Sequence, residues 1–153
     1  MKMKVLVVAR VIAVFLLLAI AAACTVLPPV VRALCDTHDL IGDRSAMAAW
    51  EVVYVTAVAY LMLAVAALAI VFLWRLLGDV KRGVVFSTLA VKNLFAVTLC
   101  AFGEAALFLA VVYYFQLAIG VALAAALLGF SLLVVCEVLK EGTRIKAEND
   151  LTV

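Results

Sequence analysis

The chain has 153 residues, 71% of them hydrophobic and 14% charged, with a formal net charge of +2. Soluble domains run at roughly 45–50% apolar and about 25% charged, so this composition excludes a water-soluble fold of this size. The small net charge gives no basis for direct nucleic-acid binding, and no polar stretch is long enough to fold separately, so one membrane domain is predicted.

A spanning helix needs about 20 mainly apolar residues. The first predicted span covers 5–27 and is stopped by Pro28-Pro29; Arg10 lies near its start, where a long side chain can snorkel to the headgroups. An outer loop over 28–51 leads to a second span, 52–74, that carries no charge. A loop over 75–88 follows. The third span, 89–114, contains Lys92 near its start and Glu104 near its middle. The fourth covers 117–139 and leaves a polar tail, 140–153. Residues 105–136 hold no charge and are too long for one span, so the division is placed at Tyr113-Tyr114-Phe115-Gln116, because tyrosines favour the membrane–water interface. The fold class predicted is an all-α, integral membrane four-helix bundle.

Orientation follows from the flanks. Of the 12 basic residues, all but Arg32 and Arg44 fall on one side: Lys2, Lys4 and Arg10, then Arg75, Lys81, Arg82 and Lys92, then Lys140, Arg144 and Lys146. The outer loop sets Asp36, Asp39, Asp43 and Glu51 against its two arginines. The positive-inside rule places both termini in the cytoplasm (N-in/C-in) in a cell membrane. The stretch Ala21-Ala22-Ala23-Cys24 resembles a weak lipoprotein cleavage box, but a retained first helix is the favoured reading.

Helices in lipid join by close packing and hydrogen bonds. Small residues four apart offer such faces at Gly120 and Ala124, Ala125 and Gly129, Ala101 and Ala105, and Ala19 and Ala23. Assembly with further copies of the chain is compatible with the same composition.

Glu104 is the residue with most to explain, because an ionised carboxylate is expensive in mid-membrane and usually faces the bundle interior or a cavity. Tyr60 and Ser131 are its expected hydrogen-bond partners, and Cys100, four residues earlier, shares its face. These residues form either a proton- or cation-coupled site or a structural carboxylic acid that fixes helix packing. Small multidrug exporters also have four helices and one membrane glutamate, but theirs lies on the first helix, which carries no carboxylate here.

Cys24 and Cys35 both fall on the outer side, where a disulfide can persist and would clip the proline turn; unbridged thiols are the equal alternative. Cys100 and Cys136 read as packing. The run Cys35-Asp36-Thr37-His38-Asp39 reads as a solvated acidic loop, because ligands so close in sequence rarely converge on one ion. No metal site, cofactor or catalytic constellation is predicted.

Two stretches carry a family resemblance. One is Gly83-Val84-Val85-Phe86-Ser87 followed by Val91-Lys92-Asn93-Leu94, in which Ser87 suits a helix N-cap. The other is Leu139-Lys140-Glu141-Gly142 leading to Glu148-Asn149-Asp150-Leu151-Thr152-Val153. Together they resemble the bacterial four-helix membrane family catalogued as domain of unknown function 2975, with Val85 standing where that family often has proline. The resemblance implies a multi-pass inner-membrane protein of unsettled function whose relatives are often encoded beside a small helix-turn-helix transcription regulator. On that basis Glu148, Asn149, Asp150, Leu151 and Val153 form an expected docking segment for a cytoplasmic regulator. The second functional reading is a small proton-coupled transporter or exporter subunit that uses Glu104.

Overall fold

A computed structural model describes residues 2–38, 48–81 and 87–150; side chains at 2–6, 35–38, 81, 147 and 149–150 are not described. Four helices follow one another: α1 (Lys2–His38), α2 (Ala49–Lys81), α3 (Thr88–Val111) and α4 (Ala118–Asp150). All four are long and apolar enough to cross a membrane, as the composition predicts, and the chain is a multi-pass membrane protein on that ground.

Local chemistry explains the starts. Ala48 caps α2, and the Glu51 carboxylate reaches back to accept from its backbone N–H at 2.8 Å, half of a capping box. Ser87 caps α3 in extended backbone, φ −136° and ψ 150°, and its hydroxyl accepts from the Ala90 N–H at 3.1 Å. Between α3 and α4 the chain reverses through tight turns, in which Tyr114 and Phe115 donate to Val111 and Ala118 donates to Phe115. The reversal spans the tyrosine-rich segment that divides the long apolar run.

Three boundaries differ from the sequence reading. Pro28 and Pro29 do not stop α1, which runs on to His38. Proline in a helix removes an N–H and frees the carbonyl four residues earlier. Membrane helices tolerate this when a neighbour supplies the missing partner. Tyr60 of α2 does so, donating to the Cys24 carbonyl at 3.2 Å. Residues 28–38, expected in a loop, therefore belong to α1. The loop predicted over 75–88 loses its first half to α2, and the tail is helical to Asp150.

The four-helix arrangement is open. Among the described residues α1 packs only on α2, α2 also on α3, and α3 also on α4, so the helices form an open row. The core is correspondingly thin. Along α1 the sheltered positions Ala13, Leu17, Ile20, Cys24, Leu27 and Val31 recur every three or four residues, which is one seam of a helix pair. Ala19 is exposed, so the small-residue pair expected with Ala23 does not make this seam. Val31 and Val55 pack with Leu27, Val52, Tyr114 and Phe115, and Val58, Val111 and Ala118 pack with Met62, Leu107 and Phe108. At Gly129 a Cβ would come within 3.3 Å of the Phe102 ring across the α3–α4 seam; a Cβ at Gly120 would meet nothing within 4 Å.

Candidate functional site

Glu104 lies on α3 facing α2. Its carboxyl stands beside the backbone of Ala66, and a Cβ on the preceding Gly103 would be 3.8 Å from Val65. Oε1 is buried and has no hydrogen-bond partner among the described residues. Cys100 is its electrostatic neighbour one turn earlier, as the spacing predicts. The other two expected members are engaged elsewhere. The Tyr60 hydroxyl serves the Cys24 carbonyl of α1, and Ser131 donates to Leu127 of its own helix at 2.9 Å. The described residues thus assemble Glu104 with Cys100 alone.

α2 carries a second tyrosine of the same kind. Tyr54 donates to the Ala110 carbonyl at 3.4 Å. Ala110 lies in the last turn of α3, and Tyr114, which could have bonded it, donates to Val111. Tyr60 thus answers a carbonyl that its own helix cannot serve, and Tyr54 adds a second bond from α2, to the last turn of α3. Tyr114 in turn packs between Tyr54, at 6.0 Å, and Tyr113, at 5.3 Å, as an aromatic cluster at that end of the row.

The opposite end gathers the start of α1, the end of α2, the start of α3 and the second half of α4. Arg10 places its guanidinium over the Trp74 ring, 5.8 Å from the centroid. Asn93, buried on α3, donates to the Asp79 carboxylate of α2 at 3.2 Å. Cys136, buried on α4, directs its thiol to the Val91 carbonyl at 3.7 Å. Sequence reasoning read Arg10 as a snorkelling basic residue and Asn93 as part of a motif, and gave neither a partner. The readable signal was an arginine and a tryptophan, each near the same end of an apolar span.

Beyond this end α4 continues as a charged helix. Lys140 pairs with Glu137 at 3.4 Å, and Arg144 pairs with Glu141 at 2.6 Å and with Glu148 at 3.8 Å. The pairs are exposed and lie at helical spacing, so each adds only tenths of a kcal/mol, about 0.3–0.5, to the helix. Of the expected docking segment, Glu148 is exposed on this helix, Asn149 and Asp150 belong to it by backbone, and Leu151 and Val153 lie outside the described residues.

Cys24, Cys100 and Cys136 are free thiols among the described residues. The Cys35 side chain lies outside them. By backbone, both Cys24 and Cys35 belong to α1, separated by about 16 Å of helical rise, whereas a disulfide needs Cα atoms within roughly 7 Å. Of the two alternatives, the continuous α1 therefore fits unbridged thiols, with Cys24 free. The run 35–39 also lies outside the described side chains, and among the described residues no group of histidine, cysteine and carboxylate side chains could hold a metal ion.

A family model described as Protein of unknown function (DUF2975) matches residues 41–153. The chain belongs to the DUF2975 family. The matched part takes in α2, α3 and α4, with Glu104, Asp79, Asn93 and the capping Ser87, and leaves α1 outside it. Arg10 and the two prolines are therefore features of this chain beyond the matched DUF2975 segment. No curated protein and no solved structure matches the chain.

Proposed function

We propose that this DUF2975 protein is a cell-membrane protein with both termini in the cytoplasm, and that it serves as a membrane-held partner of a cytoplasmic helix-turn-helix regulator. The observation that carries this reading is the length of α4. Its 33 residues rise about 50 Å, while a bilayer core is about 30 Å thick, so about 20 Å, nearly four turns, stands clear of it. That extension is a preformed helix with exposed ion pairs on one side and the exposed apolar side chains Val138 and Ile145 seven residues apart on another. Residues seven apart share a helix face, and an apolar stripe bordered by charge is what a soluble partner grips. The excess of basic residues at this end supports its cytoplasmic placement.

The test is affinity purification from native membranes in mild detergent, with mass spectrometry of what remains bound. The reading expects a stoichiometric DNA-binding protein, lost when 142–153 are removed and lost again with Ile145→Glu. A truncated chain that retains the same protein overturns it.

The unpartnered Oε1 of Glu104 favours a second reading, proton-linked transport. A lone carboxyl in lipid is a functional candidate by default. Here Glu104→Gln abolishes coupled flux in proteoliposomes and leaves partner capture unchanged. Flux that survives the substitution removes this reading.

A further inference from the structure

We infer that the α1–α2 seam at Arg10 is a binding site for the phosphate of an anionic phospholipid headgroup. Arg10 opens the sheltered stripe of α1, so its side chain is held at the seam instead of extending freely into solvent. One terminal nitrogen lies 3.8 Å from where a Cβ on Gly78 would stand, and the absence of that Cβ leaves room beside the guanidinium. Nε is buried and makes no hydrogen bond among the described residues.

The charge is equally unanswered. Every ion pair among the described residues lies on α4. Asp79, the one acid between Glu51 and Glu104, accepts from Asn93. Residues 1–6 and 82–86 contain no carboxylate that could serve instead. A guanidinium fork over an aromatic ring, without an ion pair among the described residues, has the chemistry of a phosphate receptor. Depth selects the source of that phosphate. Tryptophan and snorkelling arginine mark the headgroup level of a bilayer, where lipid phosphates already lie. This inference stands independently of the partner reading.

The experiment uses the full chain with Trp50→Phe, which leaves Trp74 as the single tryptophan. The protein is reconstituted in phosphatidylcholine vesicles containing chain-brominated phosphatidylglycerol or chain-brominated phosphatidylcholine, and quenching of Trp74 gives their relative association. The site predicts a preference of about fivefold for the anionic lipid, the scale of one arginine at a membrane surface. Arg10→Gln brings the ratio to about one, whereas Lys92→Gln, which removes one charge at the same end, leaves it unchanged. Arg10→Lys keeps the charge without the fork and retains an intermediate ratio, so a folding defect in Arg10→Gln does not decide the matter. No preference in the parent chain overturns the inference, as does equal loss in Arg10→Gln and Lys92→Gln, which means diffuse attraction. Loss of the preference on adding inorganic phosphate, against chloride at matched ionic strength, also overturns it, because the ligand is then free phosphate.

Discussion

The Tyr60 hydroxyl donates to the Cys24 carbonyl, 3.2 Å away, and that carbonyl is the one Pro28 leaves without a helical donor. One interhelical bond thus repairs α1 and fastens it to α2. If so, Tyr60→Phe costs about 0.5–1 kcal/mol, the usual scale of such bonds between membrane helices. With Pro28→Ala in place the helix supplies its own N–H, and Tyr60→Phe becomes nearly silent. Reversible unfolding of both single variants and the double variant measures the coupling; simple additivity would mean that the tyrosine and the proline act separately.

Gly129 and Gly120 sit in similar small-residue pairs on α4 but face different surroundings. A Cβ at 129 presses on the Phe102 ring, and one at 120 meets open space. Gly129→Leu therefore costs about 1–3 kcal/mol by overpacking, and Phe102→Ala relieves part of it. Gly120→Leu stays within about 0.5 kcal/mol, as surface changes do. Thermal unfolding in one detergent compares them directly.

Asn93 is buried against α2 and holds Asp79. Asn93→Ala leaves that carboxylate without its donor and costs about 1–3 kcal/mol. Asn93→Asp sets two like charges together in place of a hydrogen bond and costs more than Asn93→Ala. Thermal unfolding of the two variants in one detergent gives their order.

Glu104 carries a buried oxygen that nothing satisfies. Removing such a group in favour of an apolar side chain of similar size is neutral or stabilising. Glu104→Met is therefore expected to match or exceed the parent chain in stability by up to about 1 kcal/mol. A marked loss would show that the carboxyl fixes packing after all.

The four spans, the Ser87 cap and the reversal near Tyr113 were legible because they depend on local composition and spacing. The proline stop was misread because its remedy lies on α2, and no property of 28–29 reveals that Tyr60 faces them. The open row was hidden for a similar reason: apolar helices display the same lipid-compatible surface whether or not a fourth neighbour closes the bundle. Glu104 was found, but its partners were assigned by depth alone, and depth does not fix which face a hydroxyl occupies. The tail helix could have been read from Glu137 and Lys140, and from Glu141, Arg144 and Glu148, which repeat at helical intervals.

The proposed docking role of α4 depends on its extension lying in the cytoplasm. A cysteine-less chain with a single cysteine introduced at Lys146 or at Ala48 is expressed in cells and exposed to a membrane-impermeant thiol reagent. The account predicts that Ala48→Cys is labelled in intact cells, whereas Lys146→Cys is labelled only after the membrane is opened. Labelling of Lys146→Cys from outside, with Ala48→Cys protected, would contradict it.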